Sequence, residues 1–136
     1  MNIRYMTPED RAFAKTLRDH ATDEQFALRV QARNGYVLEE DGVSVGIMHH
    51  CIFWDSLPIM NLIYLAEEHR RKGYGAQAMR AWEADMLRRG YKMVMISTQA
   101  DEEAQHFYRK LGYVDCGAWV LNNEPTELFL CKTLKA

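Results

Sequence analysis

Apolar and polar positions along the first 35 residues predict one short strand followed by two helices. The strand covers Ile3 to Met6. Thr7-Pro8-Glu9-Asp10 then supplies a helix cap, a first-turn proline and first-turn acids. A second helix is predicted to start at Thr22-Asp23 and to stop near Asn34-Gly35. Two helices therefore precede the main part of the sheet.

The middle of the chain has the pattern of strands joined by tight turns. Strands are predicted at Tyr36 to Glu40 and at Val43 to Trp54, on either side of Asp41-Gly42, a dipeptide typical of two-residue hairpin turns. The stretch from Asp55 to Pro58 predicts a second turn, which leads into an apolar strand from Ile59 to Leu65. The hairpin connections favour an antiparallel arrangement.

The C-terminal half alternates helices and strands. A helix is predicted from Gly75 to Arg89, because Met79, Trp82 and Met86 fall on one face. Three strands and one helix complete the order: Met93 to Ser97, a helix from Glu102 that buries Ala104, Phe107, Tyr108 and Leu111, and strands at Tyr113 to Leu121 and Thr126 to Thr133. The whole order predicts a mixed α/β fold with a predominantly antiparallel sheet.

Composition narrows the class of protein. The chain has 136 residues, 48% of them hydrophobic and 26% charged, which predicts one globular domain over residues 1–136. The formal net charge of −2 argues against a nucleic-acid or membrane partner. The N-terminus lacks the basic and apolar segments of a signal peptide, so a cytoplasmic location is expected. Cys51, Cys116 and Cys131 lack metal-ligand spacing and are expected to be buried reduced thiols.

The stretch EEHRRKGYGAQAM, Glu67 to Met79, is the strongest candidate for chemistry. Gly73 and Gly75 stand directly before a predicted helix, whose first N–H groups lie at the positive end of the helix dipole and favour a phosphate. Neighbouring cations suit a diphosphate. A P-loop is excluded because the chain has no Gly-Lys-Ser or Gly-Lys-Thr. Gly73 to Ala78 matches GxGxxA, but the preceding strand is too far away for a dinucleotide fold, and the next strand carries no terminal acid.

Two motifs resemble those of the GCN5-related N-acetyltransferase (GNAT) family. Arg70-Arg71-Lys72-Gly73-Tyr74-Gly75 is similar to the family's R/Q-x-x-G-x-G/A signature between strand four and helix three. DEEAQHFYRKLGYVDCG, Asp101 to Gly117, is similar to N-x-x-A-x-x-F/L-Y-x-K-x-G-F. The resemblance covers Ile3 to about Leu134. It implies the GNAT fold, of α+β type, with a mostly antiparallel sheet of six or seven strands, splayed strands four and five, and about four helices.

The resemblance also implies an activity. GNAT enzymes use acetyl-CoA as co-substrate, need no metal, and transfer the acetyl group by direct attack of a primary amine of a small molecule or peptide. Main-chain N–H groups of Arg71 to Ala76 would bind the diphosphate, and strand four would bind the pantetheine arm. The cofactor-binding residues implied are Ile63, Leu65, Arg70, Arg71, Lys72, Gly73, Tyr74, Gly75, Ala76, Asp101 and Ala104. Asp101 stands where the family usually has Asn.

Tyr108 matches the tyrosine that, in this family, donates a proton to the departing coenzyme A thiolate. A phenol of pKa near ~10 can protonate a thiolate of pKa near ~8.5 only if it is placed closely and its phenolate is stabilised. The alternative is that Tyr108 is a core residue, as its position on the apolar stripe allows.

The general base and the acceptor pocket stay open, because strand four contains no glutamate, the base in several family members. Successive strand residues face opposite ways, so at most one of His49 and His50 can address the site. Asp55 either binds a cationic amine or caps its own turn. Asn61 and Trp54 are further candidates for acceptor binding. Histidines and aromatic residues on strands also serve purely structural roles.

A second function stays open: a non-catalytic module of the same fold that binds acyl-CoA or a peptide. Such a module, like the enzyme, could form a homodimer by pairing an exposed edge strand, for which Thr126 to Thr133 is the candidate. A thiol-release assay discriminates the two functions.

Overall fold

The computed structural model describes residues 1–135, which form one seven-stranded sheet with the order β1-β2-β3-β4-β5-β7-β6. The strands are β1 (Asn2–Tyr5), β2 (Gly35–Glu40), β3 (Val43–Phe53), β4 (Leu57–Leu65), β5 (Met93–Gln99), β6 (Val114–Trp119) and β7 (Glu127–Thr133). The helices are α1 (Arg11–Lys15), α2 (Asp23–Ala32), α3 (Tyr74–Arg88) and α4 (Ala104–Lys110), with 3₁₀ helices at Pro8–Asp10 and Glu67–His69. β4 and β5 run parallel, whereas β1 with β2, β2 with β3, and β7 with β5 and β6 run antiparallel. The predicted mixed, mostly antiparallel fold is confirmed.

Local signals explain most element boundaries. Thr22 caps α2 as predicted: its hydroxyl accepts from the Gln25 main-chain N–H at 3.1 Å, and the Gln25 side chain accepts from Thr22 N–H at 2.8 Å. In the hairpin between β2 and β3, Asp41 and Gly42 have φ of 52° and 77°. Positive φ at both positions is what a type I′ turn requires.

Two predicted boundaries differ from the structure. The helix α2 ends at a left-handed Arg33 (φ 57°), and Gly35 is already in β2. A Cβ on Gly35 would lie 2.5 Å from Sδ of Met6, so a larger residue there would force the Met6 side chain to move. α4 ends at Lys110, and of the predicted apolar stripe Tyr108 is buried. Leu111 lies just beyond the seven-residue helix, and the other members of the stripe are half-buried: Ala104, Phe107 and Leu111.

The chain divides into two compact units, and β3, β4 and α3 each contribute residues to both. The first unit comprises Met1–Cys51 and Leu62–Trp82. Its core is a cluster of six buried side chains: Met6, Ala14, Leu17, Phe26, Val37 and Ile47. The second unit comprises Ile52–Asn61 and Glu83–Ala136. Its fully buried apolar side chains include Met86, Val94 and Leu130.

The order of the last two strands corrects two expectations. β7 is hydrogen-bonded on both sides, to β5 and to β6, so Thr126 to Thr133 is not an edge strand. The edge strand on that side of the sheet is β6, and all its residues are exposed. The three cysteines are free, as expected, but they are not buried: Cys51 and Cys116 are exposed and Cys131 is half-buried. Cys116 is exposed because it lies on that edge.

Candidate functional site

The segment between β4 and α3 is an irregular loop that ends in a helix N-terminus. After the 3₁₀ helix Glu67–His69, Arg70 is extended, and Arg71 and Gly73 have φ of 65° and 78°. The N–H of Gln77 donates to the Gly73 carbonyl at 3.2 Å, so α3 begins directly after this glycine. N–H groups in the first turn of a helix have no acceptor within the helix. The loop therefore presents donors where the sequence predicted them.

Gly73 is required for its backbone conformation. A Cβ placed on it would meet no atom within 4 Å, so the loop is open at this point. The positive φ is costly for residues other than glycine. The open space on this side of the loop is available to a ligand.

Arg70 ties the loop to the end of β4. Its Nε donates to the Leu65 carbonyl at 3.0 Å, and its guanidinium lies 4.9 Å from the centre of the Tyr64 ring. The guanidinium of Arg18 lies 5.2 Å from the same ring. The side chain of Arg70 is thus engaged with the main chain and the Tyr64 ring at the end of β4.

Glu40, on β2, contacts three side chains of the loop region, and sequence reasoning missed it. The Tyr74 hydroxyl donates to Oε1 of Glu40. Nδ1 of His69 and Nζ of Lys72 lie 3.3 Å and 3.8 Å from Oε2. The hydrogen bond from Tyr74 is the main cause that lowers the pKa of Glu40, and the same bond raises the pKa of Tyr74. No local motif marks Glu40, because it lies about thirty residues before the loop.

The cations of the loop are accessible. Arg71 and Lys72 are exposed, and the Lys72 side chain retains 46% of its accessible surface. At 3.8 Å its Nζ is beyond hydrogen-bond distance from Glu40. Lys72 can therefore turn towards an anion at low cost, since an exposed ion pair of this kind contributes little.

β4 carries the other residues implied for cofactor binding. Ile63 and Leu65 are half-buried. Gly46 on β3 allows the close approach of β4, because a Cβ there would lie 2.9 Å from the Tyr64 carbonyl oxygen. In the second unit, the parallel register of β4 with β5 comprises the pairs Ile59 with Met95 and Met60 with Ile96.

Tyr108 lies on α4 in the second unit and is 9% exposed. Burial, followed by the charge of Glu102, raises its pKa to about 12. Its ring makes edge contacts with Phe107 and Tyr113, with ring centres 5.2 Å and 6.0 Å away. Tyr108 is therefore a neutral phenol at physiological pH. Asp101 and Ala104, just before it, are exposed and half-buried.

A buried polar cluster lies beside Tyr108. The Tyr113 hydroxyl donates to Oε2 of Glu83 at 2.8 Å, and Nζ of Lys132 donates to Oε1 at 2.8 Å. The main-chain N–H of Tyr113 donates to the Tyr108 carbonyl at 3.1 Å. Burial and the Glu83 charge raise the pKa of Tyr113 far above its usual value. These contacts anchor the C-terminal end of α4.

His49 and His50 point to opposite faces of β3, as alternation predicts. His50 is 3% exposed, and its Nδ1 accepts from Nε1 of Trp82 at 3.1 Å. His49 is half-buried, and burial, followed by the charge of Arg29, lowers its pKa to about 4. Its buried Nδ1 makes no hydrogen bond within residues 1–135. The His49 imidazole is therefore a poorly basic group in the folded protein.

Two of the remaining acceptor candidates, Trp54 and Asp55, lie in the turn between β3 and β4. Trp54 and Asp55 have φ of 54° and 56°, and the Ser56 N–H donates to the Phe53 carbonyl at 3.1 Å. Trp54 is 82% exposed and stacks on Phe53 with ring centres 4.6 Å apart. Asp55 and, on β4, Asn61 are exposed. The turn begins one residue earlier than predicted.

Residues 1–135 contain neither a metal-ligating group of histidine, cysteine and carboxylate side chains nor a membrane-spanning helix. Within residues 1–135, histidine, cysteine, aspartate and glutamate form no group of three or more that could hold a metal ion. In the same residues no helix has the length and apolar character needed to cross a membrane.

The family comparison identifies the class of protein. The model of the Acetyltransferase (GNAT) family matches residues 3–113, so the chain belongs to this family. The resemblance drawn from the two motifs is thereby confirmed. A search of curated protein sequences found no match to the chain.

Solved structures with the same fold extend over the whole chain. A ribosomal-protein-alanine N-acetyltransferase from Brucella melitensis has a TM-score of 0.81 and 18% identity, covering 98% of this chain and 100% of that one. The protein yncA from Salmonella typhimurium, solved with its cofactor acetyl-CoA, has a TM-score of 0.81 and 15% identity, with coverages of 100% and 95%. A variant of the spermidine N-acetyltransferase SpeG from Vibrio cholerae has a TM-score of 0.81 and 16% identity, with coverages of 98% and 93%.

Proposed function

We propose that the protein is an acetyl-CoA-dependent N-acetyltransferase whose acceptor is a primary amine of a small molecule or peptide. The observation that carries the proposal is the open loop that ends at Gly73, directly before the first turn of α3. Family membership and the acetyl-CoA complex of a protein with the same fold support it.

The loop fits a diphosphate in three respects. The first turn of α3 supplies N–H donors at the positive end of the helix dipole. Gly73 leaves open space beside them, and Arg71 and Lys72 add exposed positive charge. We therefore assign diphosphate binding to the main chain of Arg71 to Ala76. Ile63 and Leu65 would bind the pantetheine arm through their main chain, and Asp101 and Ala104 are further candidates for contacts with the cofactor.

Acetyl-CoA supplies an activated thioester, so the chain needs no nucleophile of its own. The acceptor nitrogen forms the new C–N bond, the C–S bond breaks, and the thiolate takes a proton from Tyr108. With a pKa of about 12, the Tyr108 phenol is fully protonated and ready to donate. Complete transfer to a thiolate of pKa near ~8.5 would be uphill by roughly 5 kcal/mol. Tyr108 therefore acts first as a hydrogen-bond donor, and the proton moves as negative charge builds on sulfur.

The acceptor is proposed to bind at the turn between β3 and β4. Trp54 is a bulky residue held at positive φ with its ring exposed, a strained arrangement that is commoner at functional sites. Asp55 beside it can attract a cationic amine, and Asn61 can orient the amine by hydrogen bonding. The amine proton then passes to solvent water. His50 is less suited to this step because its Nδ1 already accepts from Trp82.

Proteins of the same fold are named for two kinds of acceptor, a protein alanine and spermidine. A thiol-release assay with acetyl-CoA should therefore include spermidine, a peptide with N-terminal alanine, and amino acids. We expect release of coenzyme A that depends on one amine and is absent without it. Coenzyme A binding without release for any amine would favour the binding module. Binding of NADH in place of coenzyme A would contradict the assignment of the loop.

A further inference from the structure

Three sulfur-containing side chains meet on neighbouring strands of the second unit. Met95 on β5 is the register partner of Cys131 on β7. Cys131 is in turn the register partner of Val114 on β6, and a bulge between Asp115 and Gly117 contains Cys116. Sγ of Cys116 lies 3.9 Å from Sδ of Met95, and the thiols of Cys116 and Cys131 are hydrogen-bonded. The bulge re-aims Cys116, as bulges do near functional sites.

The surroundings of the three sulfurs favour a soft ligand. Asp115, the carboxylate on the same strand, is already paired with Arg109. Its Oδ1 accepts from Nε of Arg109 and its Oδ2 from Nη2, each at 3.0 Å. The Asp115 carboxylate is therefore not offered to a hard cation. Thiolates and thioethers together select soft metals such as Cu(I). This set has two cysteines and a methionine, so it is distinct from the groups of histidine, cysteine, aspartate and glutamate considered above.

The geometry suits a three-coordinate ion. Metal–thiolate bonds of ~2.3 Å arranged in a plane at roughly 120° place the sulfur atoms about 4 Å apart. The separation of 3.9 Å between Cys116 and Met95 is of this size. Met95 is 8% exposed, Cys131 is half-buried and Cys116 is exposed, so an ion can enter from the Cys116 side and be held partly away from water.

We propose that Cys116, Cys131 and Met95 bind one Cu(I) ion. Binding breaks the two S–H bonds and releases two protons to water, while two copper–thiolate bonds and one copper–thioether bond form. Copper and sulfur keep their oxidation states. Because binding releases protons, the affinity for Cu(I) increases with pH.

The test is an anaerobic titration of the full chain with Cu(I) against a chromogenic Cu(I) chelator. We expect the wild type to retain one equivalent. Cys116→Ser and Cys131→Ser should lose it, and Met95→Leu should lose part of the affinity. Cys51→Ser is the matched control and should retain one equivalent, because Cys51 belongs to the first unit. Circular dichroism checks that each variant is folded.

X-ray absorption of the copper-loaded protein supplies a measurement independent of affinity. Three sulfur ligands are expected in the wild type and two in Met95→Leu. Complete removal of copper by the chelator would overturn the proposal, and so would equal retention in Cys51→Ser and Cys116→Ser. A first shell of nitrogen or oxygen would overturn it as well. Lower affinity at pH 6 than at pH 8 is expected, and a pH-independent affinity would contradict thiolate ligation.

Discussion

The loop before α3 and the surroundings of Tyr108 differ in charge and in exposure to solvent. In the loop, the accessible cation Lys72 lies next to one carboxylate, Glu40, and both charges stay in contact with solvent. Around Tyr108, burial among aromatic rings holds a phenol in its neutral form. Binding at the loop should therefore respond to charge and salt, whereas chemistry at Tyr108 should respond to removal of one hydroxyl. Variants in the two regions should separate affinity from turnover.

Loss of the Tyr108 hydroxyl should have the largest effect. Tyr108→Phe keeps the buried ring but cannot donate to the leaving thiolate, so kcat should fall by about 100-fold or more. The dissociation constant for acetyl-CoA should not change. Steady-state thiol release and calorimetric binding measure the two quantities. Tyr91→Phe, at a half-buried tyrosine of the same unit, is the control. An unchanged kcat in Tyr108→Phe would remove the proton-donor role.

The pH dependence of stability tests whether burial lowers the pKa of His49, a titratable group of the first unit. Its pKa is lowered to about 4 in the folded protein, whereas the unfolded value is near ~6.5. Between these values the unfolded chain binds a proton that the folded chain does not, so the folded protein loses stability as the pH falls. From pH 7 to pH 5 this loss should be about 2 kcal/mol.

Urea unfolding at several pH values measures this loss. His49→Gln should lack that part of the pH dependence, while the carboxylates keep theirs. The same slope in the wild type and in His49→Gln would show that His49 titrates normally.

The glycine before α3 tests the binding region alone. Gly73→Ala and Gly90→Ala form a matched pair, since both glycines have positive φ (78° and 96°) and a Cβ added to either would meet no atom within 4 Å. Each substitution should cost about 1–2 kcal/mol of backbone strain. Only Gly73→Ala should weaken acetyl-CoA binding, by about tenfold, because the strain there distorts the donors. Equal affinities in the two variants would place the diphosphate elsewhere.

Local signals predict the loop well, and they predict less where distant residues meet. Short-range rules identify Thr22, Asp41-Gly42 and Gly73, because caps, hairpin turns and helix starts depend on a few neighbouring residues. The strand order is harder to predict. An edge position for Thr126 to Thr133 is wrong, since pairing on both sides places β7 inside the sheet.

The candidate site shows the same division. The motif identifies the residues of the loop, and which of them bind acetyl-CoA stays a prediction. Glu40 carries no sequence signal, since only the folding of β2 against the loop brings it to Tyr74 and Lys72. The exposure of Cys116 could not be predicted either, because it depends on which strand forms the edge.

The smallest expected effect is at Glu40, and it separates two roles of one carboxylate. Glu40→Gln keeps an acceptor for the Tyr74 hydroxyl but removes a negative charge beside the proposed diphosphate. Acetyl-CoA binding should become about threefold tighter at low salt, because Lys72 no longer has a competing partner. The gain should shrink as salt screens the exposed charges.

Glu40→Ala also removes the acceptor for Tyr74, which loosens the start of α3, so it should bind acetyl-CoA less tightly than Glu40→Gln. Calorimetric titrations of both variants at low and high salt make the comparison. If the two variants bind equally at every salt concentration, Glu40 acts on the loop through its charge alone and the bond from Tyr74 has no part in shaping it. If Glu40→Gln binds acetyl-CoA more weakly than the wild type, the contact with Glu40 holds Lys72 in position to bind the ligand. That result would contradict the inference that Lys72 is free to turn towards a phosphate.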